Sequence, residues 1–254
     1  MYAAKALRSA PVDVTLIDRR NHHVFQPLLY QVATAGLSAI DIGEPIRRIL
    51  RKQANTSVHL AEVSSVDVDS RQVVLADGEP IGYDFLIVAT GAGDSYFGHD
   101  DWEPHAPGLK SIEDALEIRR RVLYAFEQAE VVEDSDERME LLSFAVIGGG
   151  PTGAELAGAL AELARHTLTN EFRRFDPGDA RILLVEAGDR ILPAYPPVLS
   201  AKAHRQLERL GVEIRTGAPV TAVESRGLRI GQDYIPCRTV LWAAGVAASP
   251  LGRS

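Results

Sequence analysis

The 254-residue sequence holds one cysteine, two methionines and two tryptophans, and no long uninterrupted apolar run. Each scarcity excludes something. One thiol, Cys237, cannot close an intramolecular disulfide, so the chain is no disulfide-stapled scaffold and fits a reducing compartment. Nor can it form the redox-active cysteine pair through which many flavin enzymes pass electrons. In Ile235-Pro236-Cys237, just ahead of an apolar strand, it reads as a buried, inert thiol. No segment reaches the roughly 18 apolar residues of a spanning helix, and no basic-then-apolar leader opens the sequence, so a soluble, unsecreted, cytoplasmic chain is expected. Positive charge is also scarce: 27 Lys and Arg against 35 Asp and Glu leave a net charge of −8. Nucleic-acid binding, which neutralises phosphates with clustered cations, is therefore not expected. The short basic runs at Arg119–Arg121 and at Arg47, Arg48, Arg51 and Lys52 fall in helical patterns and read as solvated faces. No metal-ligating cluster stands out.

What is present is alternating helix and strand punctuated by glycine. A short helix over Tyr2–Ser9 leads to a buried parallel strand, Val12–Ile17, ending in Asp18. From Val58 to Val88 strand signals dominate: Val66–Asp69, Val73–Leu75 and Phe85–Val88, separated by Asp77-Gly78 and Gly82, predict a β-meander inserted in an α/β domain. The last of these strands should deliver Ala89-Thr90-Gly91. Residues 93–108, rich in Gly, Pro, Asp and His, resemble a linker. Ser111 followed by Asp114 then signals an amphipathic helix running to about Val131.

A second unit begins at strand Phe144–Ile147. It continues through Gly148-Gly149-Gly150-Pro151-Thr152-Gly153 into a helix reaching about Thr169, then strand Ile182–Val185 ending in Glu186. Helix Pro197–Leu210 should stop at Gly211, and after Val212–Ile214 a strand pair around Val220–Val223 and Leu228–Ile230 precedes strand Thr239–Trp242 and Ala244-Gly245. The expected architecture is α/β, with two Rossmann-like dinucleotide-binding domains and an inserted β-meander. The expected division is 1–110, 111–244, and 245–254 as the start of a return to the first domain.

A glycine string alone is weak evidence, but here it stands between a strand and a helix, the context a dinucleotide fingerprint requires. Gly148 permits the tight turn, Gly150 lets a pyrophosphate approach the backbone, and Gly153 lets the helix pack closely on the strand. The helix N-terminus offers amide donors and positive dipole charge to phosphates. Glu186 can accept from ribose hydroxyls and repel a 2′-phosphate, which predicts NADH over NADPH. It lies farther from the glycines than the about 20 residues of the fingerprint, and Arg190 is a candidate to neutralise it in part. Asp18 repeats this logic, yet counting back about 20 residues places its glycine loop before Met1. The first domain is therefore expected to be incomplete.

The run Asp18-Arg19-Arg20-Asn21-His22-His23-Val24-Phe25-Gln26-Pro27-Leu28-Leu29-Tyr30-Gln31-Val32-Ala33 resembles that of type II NADH dehydrogenases, single-subunit flavoproteins that oxidise NADH and reduce quinone. The likeness continues through Ala89-Thr90-Gly91, Gly148–Glu155 and Leu241–Val246. It implies FAD in the first domain and NADH in the second. Asp18 would then hold the FAD ribose, with Arg19 and Arg20 beside it. Val63 would contact adenine, Ala89, Thr90 and Gly91 would pass the flavin nucleotide, and Phe25–Ala33 would wrap near the isoalloxazine, Gln31 being its polar residue. Glu155, on the first turn of the NADH-site helix, would lie near the nicotinamide as the catalytic residue, the alternative being an N-terminal acid favoured by the helix dipole. His22 and His23 match a packing motif and are not expected to be catalytic. A quinone acceptor, peripheral association with the inner face of the cell membrane and a homodimer would belong to the full-length parent. This chain would look truncated at both ends, bind FAD poorly and not complete turnover by itself. A ferredoxin reductase-like or apoptosis-inducing-factor-like reductase, and a non-catalytic nucleotide-binding fragment, remain alternatives. Sulfide:quinone reductases need several cysteines.

Overall fold

A computed structural model describes residues Met1–Arg253. The chain divides into two compact units: Met1–Phe25 with Ile40–Gly93 and the residues from Ala247 onward, and Gln26–Ala39 with Asp94–Val246.

In the first unit, helix Tyr2–Ala6 runs through a 3-10 turn at Leu7–Ser9 into strand Val14–Asp18. That strand pairs in parallel with Thr56–Leu60, Val14 opposite Thr56 and Asp18 opposite Leu60. Ala4, Ile46 and Leu50 form a small core on which Val14, Leu16 and Val58 pack. A polar side chain completes it, because a buried backbone carbonyl needs a partner: Gln53 Nε2 donates to Ala4 O at 2.6 Å. The meander is present as strands Val63–Asp67, Gln72–Leu75 and Ile81–Gly82, all antiparallel. Its expected last strand is not. Phe85–Val88 has no regular structure, and Phe85 is 94% exposed. Sequence pattern marks a segment able to be a buried strand, but a strand exists only where a neighbour supplies its hydrogen bonds, and this unit's parallel sheet has two strands.

The second unit is built on a four-stranded parallel sheet in the order Val212–Arg215, Arg181–Val185, Ser143–Ile147, Thr239–Trp242. Every residue of Ser143–Ile147 and Thr239–Trp242 is buried, as expected of parallel strands covered on both faces. Helix Ile112–Val131 opens with the reciprocal capping box anticipated from Ser111 and Asp114: Asp114 N–H donates to Ser111 Oγ (3.1 Å) and Ser111 N–H to Asp114 Oδ2 (2.8 Å). Its face of Ala115, Ile118, Val122, Ala125, Phe126 and Ala129 is buried. The second helix runs from Pro151 to Glu162 and is followed by a π turn at Leu163–Thr167. Helix Pro197–Arg209 is followed by Leu210 and by Gly211 at φ +83°, a left-handed stop. The anticipated strand pair is a three-stranded antiparallel sheet, Val220–Glu224, Gly227–Ile230 and Asp233–Pro236. Its Leu228 and Ile235 join Tyr96, Trp102 and Trp242 in the core. Cys237 lies in that core, where burial pushes its thiol up to about 12, so it is protonated and inert.

Candidate dinucleotide site

The site is assembled where strand Ser143–Ile147 ends. Gly148 has φ +109°, and its N–H donates to Val185 O at 2.7 Å. A Cβ at Gly148 would lie 2.5 Å from the Ala243 carbonyl, so both the conformation and the close approach require glycine. Gly153 has a different reason: a Cβ there would sit 1.8 Å from Gly148 O, because the helix packs directly on the turn. At Gly150 a Cβ would meet nothing within 4 Å. Steric packing does not demand glycine here; the space in front of it is left open. Gly150 caps the helix without a side-chain bond, Pro151 occupies the first helical position, and the helical ladder begins with Ala154 N–H to Gly150 O (3.0 Å). The amides of Thr152 and Gly153 precede that ladder and are the orphan donors of a helix start.

Glu186, at the end of the neighbouring strand, closes the turn from the side. Its Oε2 accepts from Gly149 N–H (2.6 Å) and its Oε1 from Gly188 N–H (2.7 Å). Among the described residues Arg190 makes no ion pair with it; its guanidinium donates to Pro193 O at 3.0 Å. On the other flank, Ala244 packs partly buried against the core, and Gly245 lies where a Cβ would be 2.7 Å from Phe97 Cζ and 2.8 Å from Ser95 O. Glu155 is the fifth residue of the helix and not in its first turn. Its pKa is raised by loss of solvent around the carboxyl, although its side chain remains solvent-accessible. The helix dipole acts mainly within the first turn, which Glu155 lies beyond.

The structure thus brings Gly148–Gly153, Glu155, Glu186 and Ala244-Gly245 together within the second unit. The residues anticipated for FAD lie in the first, apart from Gln26–Ala33 of the flavin-side run. Asp18 is half-buried at its strand end, where Oδ1 accepts from Arg20 N–H (2.8 Å) and its carbonyl accepts from Ala61 N–H (3.0 Å). Arg19 lies 3.8 Å from Glu62, both exposed. Val63 begins the meander opposite Leu75. Ala89, Thr90 and Gly91 are exposed and irregular, with Gly91 at φ +69°. Of the Phe25–Ala33 run, Leu29, Val32 and Ala33 are buried on a short helix of the second unit that packs against helices Ile112–Val131 and Pro151–Glu162. Gln31 Nε2 donates to Tyr30 Oη at 3.1 Å. One participant carried no sequence signal: Leu192, at φ +50°, donates its N–H to Gly149 O at 2.6 Å. A leucine advertises neither a left-handed conformation nor a role in a glycine turn.

A parallel sheet with a glycine turn opening a helix and an acid ending the adjacent strand defines a Rossmann-type dinucleotide fold. The family model of the pyridine nucleotide-disulphide oxidoreductases matches residues 1–253, and the chain belongs to that family. It is 49% identical over 99% of its length to the type II NADH:quinone oxidoreductase NdhA of Mycobacterium tuberculosis, of which it covers 55%. It is 48% identical to the type II NADH:quinone oxidoreductase Ndh of the same organism, covering 56% of that protein. Among solved structures, NDH2 from Plasmodium falciparum in complex with NADH matches with a TM-score of 0.88 at 27% identity, over 94% of this chain and 51% of the other. The chain therefore spans about half the length of these relatives.

Proposed function

We propose that the second unit binds NADH across the Gly148–Gly153 turn, and that the chain is the nucleotide-binding portion of a type II NADH:quinone oxidoreductase. The observation that carries this reading is the cradle itself: Gly148 and Gly153 are glycines because the backbone closes on them, whereas Gly150 faces open space beside orphan helix amides. In that space the amides of Thr152 and Gly153 bind a pyrophosphate, Glu186 accepts from the adenosine ribose, and Ala244 and Gly245 border the path toward the nicotinamide. Glu155, whose desolvated carboxyl keeps its proton to higher pH than an ordinary glutamate, lies beside the nicotinamide.

In the first unit, Asp18, Arg19, Arg20, Val63, Ala89, Thr90 and Gly91 hold FAD. Asp18 fits the adenosine ribose of that group, being a half-buried acid at a parallel strand end. No second strand–glycine–helix turn is found among the described residues of this unit to hold its pyrophosphate. When bound, FAD supplies the two-electron chemistry that connects NADH to the acceptor, and the protein's part is to bind and orient. Quinone is the acceptor, and the longer protein associates peripherally with the inner face of the cell membrane and forms a homodimer. No helix among the described residues is long and apolar enough to cross a membrane.

Calorimetric titration of the purified chain with NADH and NADPH tests the nucleotide reading. NADH should bind at least about tenfold more tightly, because the Glu186 carboxylate repels a 2′-phosphate. Equal affinities would overturn the preference, and no binding of either would overturn the site. Flavin absorbance of the same preparation should be substoichiometric.

A further inference from the structure

The carboxylate of Glu186 does something that reading a ribose does not require. Both of its oxygens are already engaged by backbone amides, one from Gly188 two residues ahead and one from Gly149 in the glycine turn. The same Gly149 peptide is held from its other end, where its carbonyl accepts from Leu192 N–H at 2.6 Å. Segment Glu186–Leu192 therefore grips Gly149 at both polar atoms, and it packs on it as well. A Cβ at Gly149 would lie 2.9 Å from Glu186 Oε2 and 3.0 Å from Ile191 Cγ2.

The gripping segment is itself anchored. Gly188 O accepts from Gly217 N–H (2.6 Å), Glu186 O from Ala218 N–H (3.0 Å), and Ile191 O from the buried Ser200 hydroxyl (2.6 Å). Leu192 reaches Gly149 only because its backbone adopts φ +50°, a conformation that costs a leucine energy and persists where the surroundings enforce it. Such strain next to a ligand turn is the pattern of preorganisation.

We propose that Glu186 and Leu192 are positioning residues that lock the Gly149 peptide, so that the acid reading the ribose also preforms the turn receiving the pyrophosphate. This rests on reading Gly148–Gly153 as a pyrophosphate cradle. Two consequences follow. The Gly149 amide is spent internally and is not a phosphate donor, which leaves that task to Gly150, Thr152 and Gly153. And the carboxylate cannot be replaced by its amide: with one N–H aimed at each oxygen, glutamine must turn its own NH₂ toward one of two donors and lose that bond.

The experiment compares ADP with 2′,3′-dideoxy-ADP, which lacks the hydroxyls that Glu186 would read, by calorimetry on the purified chain. Simple electrostatics gives Glu186→Gln the opposite sign from the proposal, since removing a negative charge near a polyanionic probe should tighten binding. The lock requires Glu186→Gln to weaken dideoxy-ADP by about tenfold, the order expected for one hydrogen bond to a charged acceptor, and ADP by more. Unchanged or tighter dideoxy-ADP binding, with only ADP weakened, would mean that Glu186 reads the ribose and nothing else.

Leu192→Pro, which removes the donor and cannot adopt positive φ, should weaken both probes by one common factor. Full affinity in Leu192→Pro would also overturn the lock; if that variant fails to fold, the Glu186→Gln comparison decides by itself. Wild-type chain that binds neither ADP nor NADH would overturn the cradle reading beneath it.

Discussion

Asp18 and Glu186 occupy equivalent places in their units, each ending a parallel strand, and each makes the same local turn. Asp18 Oδ1 accepts from the amide two residues on at 2.8 Å, and Glu186 Oε1 does so at 2.7 Å. They differ in what the second oxygen finds. Glu186, one methylene longer and beside a glycine turn, reaches Gly149 across the sheet. Around Asp18 the parallel sheet has two strands, and the apolar Phe85–Val88 is irregular and exposed. An acid at a strand end is thus a local signature that any parallel strand can carry. What sets Glu186 apart is the glycine turn that the adjacent strand delivers within reach of its carboxylate.

The largest effect should come from the glycine turn. Gly153→Val drives a side chain into Gly148 O, a backbone atom unable to yield, and should abolish NADH binding and cost about 2 kcal/mol or more in urea denaturation. Gly150→Ala is the contrasting partner, since its methyl enters open space: the fold should be unchanged within about 0.5 kcal/mol while nucleotide affinity falls. If both variants bind like wild type, the turn is a structural bend and no cradle.

Next in size is the contrast between the two sheets. Leu184, fully buried in the four-stranded sheet, should cost about 2–5 kcal/mol when truncated to alanine. Leu16, only partly buried in the two-stranded one, should cost about 1 kcal/mol. Equal losses by chemical denaturation would show that the first sheet is covered in solution as thoroughly as the second.

The smallest effect is a pH dependence within the second unit. Asp94 packs against Gly108, where a Cβ would sit 2.0 Å from its Oδ2, and burial raises its carboxyl to about 6, with Asp114 and Glu103 adding to the rise and Lys110 opposing it. A raised acid makes the folded state bind protons more tightly than the unfolded one. Its stabilising contribution is therefore full below about pH 4 and lost as pH rises through about 6. Asp94→Asn should flatten that segment of the Tm-versus-pH curve; an identical curve for the variant would assign the dependence to other groups.

Much of the second unit was legible beforehand because its signals are short-range and redundant. The Ser111–Asp114 capping box, the apolar run Phe144–Ile147 and Gly211 after its helix each specify local geometry from a few adjacent residues. Phe85–Val88 misled for the complementary reason, since apolar composition states a capacity for burial and not whether a partner is present. The third strand of the small antiparallel sheet, Asp233–Pro236, escaped notice because only one of its four residues, Ile235, is buried. The membership of Leu29–Ala33 in the second unit was equally invisible: helical periodicity shows that a face is buried, not what buries it.

By itself the sequence determined the class of fold, the glycine turn and the acid that pairs with it, because backbone freedom at glycine and the reach of a carboxylate are properties of single residues. Only the tertiary structure decided that Gly150 is the glycine facing open space, that Glu186 is held by two amides while the Arg190 guanidinium donates to Pro193 O, and that Leu192 is strained to meet Gly149. Those facts depend on which atoms meet across the packed sheet ends, and no spacing along the chain encodes them.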